Sequence, residues 1–150
     1  MVNIITDSTS DLGVEIIAEF GLVVVPLLIT IGGHVYRDGL DIGQEELFSL
    51  VEKYGELPKT AAPSVGEFTQ AFDRSGDSVF VGISSKLSAT IQNAQLAAKL
   101  LPVGKVRVID SLNLSSGVGS RFKDHCSTDH APQQWETTAI AGRYHGCLRR

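Results

Sequence analysis

The chain has 150 residues, 43% hydrophobic and 20% charged, which are the proportions of one globular domain with a real core. Its formal net charge of −4 argues against nucleic acid and anionic membrane surfaces as partners, since both need clustered positive charge. No apolar run approaches the roughly 20 residues of a membrane span. The start Met1-Val2-Asn3 lacks a leader pattern and two cysteines make no disulfide framework, so a soluble cytoplasmic protein is the expectation.

Val2-Asn3-Ile4-Ile5-Thr6 reads as a short buried strand, and the polar cluster Asp7 to Asp11 offers N-caps for a helix over about 12–20 that Gly21 stops. Leu22 to Ile31 is β-branched and apolar, hence strand, with Pro26 implying an edge, a bend or two shorter strands. Gly32-Gly33 turns the chain into a hairpin return over His34 to Arg37. Asp41 is placed to cap a helix over about 42–54, with Glu45 and Glu46 in its first turn. A loop containing Thr60 follows, then a helix over 65–74 opened by the capping box Ser64-Val65-Gly66-Glu67. Residues 78–83 form a strand, 89–101 a helix stopped by Pro102, and 105–109 another strand. Strands alternating with helices give the fold class: α/β, a mostly parallel sheet flanked by helices. Ligands of such folds collect beyond the carboxyl ends of the strands, where Asp7 to Ser10, Ser84 to Ser88 and Asp110-Ser111 all lie.

The pattern breaks near residue 120. Residues 1–120 carry 8 basic and 14 acidic side chains, whereas 121–150 carry 5 and 3 together with both cysteines, the only tryptophan and three of the four histidines. No helical or strand period persists there. The expectation is a domain over 1–119 and a poorly ordered tail over 120–150, from a reading-frame shift near Gly119 or an appended sequence.

Two hydroxyl-bearing segments stand at the mouths of helices, Leu57-Pro58-Lys59-Thr60 and Ser84-Ser85-Lys86-Leu87-Ser88. Hydroxyls, free N–H groups and the positive ends of helix dipoles meeting in one region would hold a small anionic group. The plainer reading of Thr60 and Ser88 is ordinary helix capping. Ser84 after a strand also invites a nucleophile-elbow reading, but the final Gly of G-x-S-x-G is missing, and the only later histidines are in the tail. Asp7, Asp38 and Asp41 are explained by turns and caps. Cys126-x-x-x-His130 and His145-x-Cys147 do not have structural zinc spacing, so no metal or cofactor is expected.

Six strings, in order, resemble the DegV family of bacterial fatty-acid-binding proteins: Ile5 to Leu12, Val25-Pro26-Leu27, Val35 to Ile42, Leu57 to Thr60 with Pro63-Ser64, Ile83 to Thr90, and Val108 to Ser111. The resemblance covers about residues 2–119. It implies a two-domain protein that buries a long-chain fatty acid in an apolar tunnel and is not an enzyme, with Thr60 and Ser88 binding the carboxylate. It implies further that the acid is presented to a separate fatty acid kinase. This chain has Ala61-Ala62 where the family usually has Ser-Gln or Thr-Gln, Ala89 where it has Gly, and the family's second domain is missing. The competing readings are a serine-nucleophile enzyme of acyl or phosphoryl transfer, using Ser84, Ser85 or Ser88, and an inactive truncated family member.

Overall fold

Val2–Asp7 (β1), Val23–Val25 (β2), Asp77–Gly82 (β6) and Val106–Asp110 (β7) pair in parallel in the order β2-β1-β6-β7. Leu28–Ile31 (β3), His34–Arg37 (β4) and Lys59–Ala61 (β5) form a second, antiparallel sheet in the order β4-β3-β5. The helices are Val14–Phe20 (α1), Gln44–Tyr54 (α2), Val65–Phe72 (α3) and Thr90–Lys99 (α4). This computed structural model describes residues 2–118, so the expectations placed on 119–150 lie outside the described residues. Among the described residues no helix is long and apolar enough to cross a membrane.

The apolar run 22–31 splits at Pro26, which has no N–H to give a ladder. β2 ends at Val25 in the parallel sheet, and β3 begins two residues past the proline in the antiparallel one. The Leu27 N–H, left without a strand partner by this crossing, donates to Ser8 Oγ at 3.1 Å.

β6 is central, and its alternation separates two cores. On one face Phe80 meets Phe68 and Phe72 of α3 with ring centroids 5.0 and 6.0 Å away, and Ile5, Ile91, Ala94 and Ala97 close around them. On the other, Val79 and Val81 pack with Val118. A parallel strand buried on both sides needs this near-continuous apolar run.

Of three helix starts, one is as expected and two differ. Ser64 and Glu67 do form the capping box, Ser64 Oγ accepting from the Glu67 N–H at 3.2 Å and Glu67 Oε2 from the Ser64 N–H at 2.7 Å. Asp41 does not cap α2. Both its oxygens go to Arg37, with Nε and Nη2 at 2.8 and 2.7 Å and the Arg37 N–H at 2.9 Å, and the helix starts after Gly43 without a side-chain cap. The cluster 7–11 likewise does not cap α1, which follows Gly13. Asp7 caps a short 3-10 turn over Ser8–Ser10 instead.

No residue of α2 is fully buried, and Phe48 is 60% exposed. The helix end is tied to the β3–β4 turn. The Gly32 N–H donates to Glu56 Oε1 at 2.7 Å, and the Tyr54 ring occupies the space where a Cβ on Gly32 would stand.

Two outcomes follow. Phe80→Ala should cost about 3–5 kcal/mol in urea denaturation, and a loss below about 1 kcal/mol would contradict the aromatic core. Arg37 holds the Asp41 carboxyl at about 2, chiefly through its hydrogen bonds, below the ordinary 3.8. The unfolded chain therefore takes up that proton first as pH falls. The resulting stability is present above the ordinary value and disappears as pH drops toward 2. Urea midpoints should fall more steeply over this window in the unmodified chain than in Asp41→Asn; parallel slopes would refute the pairing.

Candidate ligand-binding site

The two sheets meet over the carboxyl ends of β1 and β6, and a cavity of about 440 Å³ opens between them. Leu27, Ile29, Ile83, Leu87 and Leu114 supply its apolar wall. Thr9, Thr60 and Ser88 supply hydroxyl-bearing side chains, the alanines 61, 62 and 89 leave room, and Asp38 is the charged residue of the lining. The size falls in the ordinary range of small-molecule sites.

Thr60 reaches the cavity from a strand. It pairs with Ile29 across β5–β3, so a segment expected to be a helix-mouth loop is instead a third antiparallel strand. The N-terminus of α3 lies beyond it and is satisfied by its own capping box. Ser88 reaches the cavity from the loop after β6. Its Oγ accepts the Thr90 N–H at 3.2 Å and shares a hydrogen bond with Thr90 Oγ1 at 2.8 Å. The two expected residues thus share a cavity, and the start of α4 stands there too through its N-cap residue Ala89, whereas the start of α3 is taken up by its own capping box.

The loop carrying Ser88 is held at its base. Ser85 donates its N–H to Asp110 Oδ1 at 3.2 Å, and the Ser84 N–H goes to the Asn113 carbonyl at 3.0 Å. Ser84 itself is buried and its Oγ accepts the Lys86 N–H at 3.2 Å. Among the described residues His34 is the only histidine. It sits on β4, its ring 6.3 Å from that of Tyr36, and does not line the cavity, so among the described residues no imidazole base is placed for a serine nucleophile there. Among the described residues no group of three or more His, Cys, Asp or Glu is arranged to hold a metal ion. Lys59 and Lys86 are exposed and do not line the cavity.

Behind Thr9 lies the fully buried carboxylate of Asp7. Its Oδ1 accepts the Thr9 N–H at 3.0 Å and the Thr9 hydroxyl, and its Oδ2 accepts the Ile83 N–H at 2.8 Å. Burial pushes this carboxyl above the usual carboxylate range, and the hydrogen bonds from Thr9 and Ile83 oppose that. Thr9 was not singled out from the sequence. The signal was present, since it follows the first strand at the edge where ligands collect, but Asp7 to Asp11 read as a plain cap cluster.

A family model described as "Uncharacterised protein, DegV family" matches residues 1–123. The chain belongs to the DegV family. A DegV domain-containing protein of Caldanaerobacter subterraneus subsp. tengcongensis is 38% identical over 120 residues, 77% of this chain and 42% of that protein. A DegV domain-containing 15.5 kDa protein of Staphylococcus aureus is 34% identical over 124 residues, and the match spans 87% of it. Among solved structures, a DegV family protein from Thermus thermophilus, described for its fatty acid binding, is similar with a TM-score of 0.79 and 32% identity, covering 99% of this chain and 53% of that one. The Streptococcus pneumoniae Fatty Acid Kinase B3 protein loaded with linoleic acid shares the fold, with a TM-score of 0.69 at 24% identity over 87% of this chain and 50% of its own. The chain thus spans about half the length of most of these DegV relatives.

Gly82 permits the Asp7 arrangement. A Cβ there would stand 2.8 Å from Asp7 Oδ2 and 2.6 Å from the buried Phe80 ring. Gly82→Ala should lower stability by about 1–3 kcal/mol and speed hydrogen exchange at the Ile83 amide. Unchanged exchange at Ile83 would show that Asp7 does not depend on the missing side chain.

Proposed function

We propose that this DegV chain binds a long-chain fatty acid by its carboxylate, held by the hydroxyls of Thr60 and Ser88, and presents it to a separate fatty acid kinase. The observation that carries the reading is the shared cavity: Thr60 on the antiparallel sheet and Ser88 on the loop leaving the parallel one line one space with five apolar side chains, Asp38 and no cationic residue. Such a lining suits an amphipathic ligand whose charge is met by hydrogen-bond donors and whose tail lies on leucine and isoleucine. The fatty acids named with the T. thermophilus and S. pneumoniae proteins support the ligand class, and the kinase name of the latter supports the partner. The protein is then a carrier, with phosphoryl transfer belonging to the kinase. The segment 120–150 is proposed to lie outside the binding unit.

Each buried methylene is worth about 0.8 kcal/mol, so affinity depends on how much of the tail these five side chains cover. Decanoate, soluble and long enough to span them, is therefore a suitable probe for amide NMR on the full chain. Its addition should move the Thr60, Ser88 and Ile83 resonances. A hydrogen bond to a charged group is worth about 1.5–3 kcal/mol, so Thr60→Val and Ser88→Ala should each weaken binding about tenfold or more. Lys86→Ala should change it less than about threefold, as an exposed ion pair is worth about 0–1 kcal/mol. Cavity resonances that ignore decanoate would end this reading, and a larger effect at Lys86 than at Ser88 would point to a lysine-centred phosphate site.

A further inference from the structure

Resting on the carboxylate reading, we propose that Thr9 is a further ligand of the head group and Asp7 its positioning residue, the pair taking up one proton from solvent when an anion binds. The geometry sets two hydrogen arrangements. With Asp7 ionised, the single Thr9 hydroxyl hydrogen is committed to Oδ1, and Thr9 offers the cavity only lone pairs, which repel an anion. With one proton added to the Asp7 carboxylate, that new O–H donates to Thr9 Oγ1. The Thr9 hydrogen is then free to turn to the ligand. No other bond is made or broken, and the net change is one proton moved from water to Asp7.

The surroundings of Asp7 favour this exchange. Its contacts are neutral: the Thr9 N–H and hydroxyl, the Ile83 N–H, and Val25 beside it on β2. Acidic groups on adjoining segments are Asp38 in the lining, Asp11 bonded to Ser115, and Asp110 receiving the Ser85 and Leu112 N–H groups. Lys86, on the loop after β6, is exposed and outside the lining. An anion entering this space therefore meets Asp38 in a wall with no cation, and the fully buried Asp7 carboxylate is bonded to the wall residues Thr9 and Ile83, so neutralising Asp7 relieves repulsion. Burial already holds the carboxyl above its ordinary range, so the proton costs less here than at the surface.

The test follows the side-chain carboxyl carbon of Asp7 by NMR against pH in the full 150-residue chain. It is read without ligand, with decanesulfonate (an anion at every pH) and with decanol. Decanesulfonate should raise the Asp7 midpoint by about one unit or more, a tenfold linked change in affinity, while decanol leaves it in place. Thr9→Val, and Thr9→Ala should the valine variant fail to fold, should remove most of that rise, and Thr9→Ser should retain it. A midpoint unmoved by decanesulfonate while Thr60 and Ser88 resonances respond overturns the inference and leaves the carboxylate reading standing. An equal rise with and without the Thr9 hydroxyl also overturns it, because the ligand's field alone then acts on Asp7. Cavity resonances that respond to neither probe overturn both.

Discussion

Asp7 is an ionisable side chain with no accessible surface, and a group of that kind persists only where each oxygen is satisfied. Oδ1 fastens the turn that follows β1, and Oδ2 fastens the first residue after β6. One carboxylate therefore joins the ends of two neighbouring strands where their ladder stops. Thr9 and Ile83, the residues it fastens, are both part of the cavity wall. Gly82 leaves the space for Oδ2, and Phe80 on the same face of β6 anchors the helix-covered core. Site and core thus share one strand end.

The second sheet supplies the opposite wall. Its existence depends on Pro26, which ends one ladder and delivers Leu27 and Ile29 to the other side of the cavity. β5 then brings Thr60 into register with Ile29. The hydroxyls assigned to the carboxylate are thus carried by different units: Thr60 by an antiparallel strand and Ser88 by the loop leaving the parallel sheet. The spacing between them follows from how the sheets abut rather than from either loop alone. This arrangement joins a helix-flanked parallel sheet to an antiparallel one, a more mixed architecture than a single mostly parallel sheet.

Local chemistry made much of the fold legible. Ser64 and Glu67 sit three residues apart with a free helix end to satisfy, so the capping box needs nothing beyond its own segment. Gly21 ends α1 in the left-handed region, with φ of 59°. What was not legible was decided by which partners the folded chain offers. Asp41 has a cap residue's position, yet Arg37 offers three donors that outcompete a helix N–H. Lys59–Ala61 has a loop's composition and becomes strand because β3 offers it a free edge. Thr60 and Ser88 stand out already as hydroxyls at expected helix mouths, and the family likeness adds a carboxylate role but no geometry. Thr9 was hidden because its importance lies in a buried carboxylate and a cavity that no spacing rule encodes.

Gly32 shows how residues far apart in sequence come to share one volume. It adopts φ of 59°, which a glycine eases, and that alone would admit asparagine in its place. The Tyr54 ring stands in the volume that any side chain there would claim, so it must swing aside before one fits. The hairpin turn and the end of α2 are consequently not free to vary independently. A larger residue at 32 fits better alongside a smaller one at 54, and the cost of the two changes together should be less than the sum of each alone. Positions 22 residues apart in sequence are thus coupled through space, and α2, none of whose residues is fully buried, keeps its place partly through that shared volume.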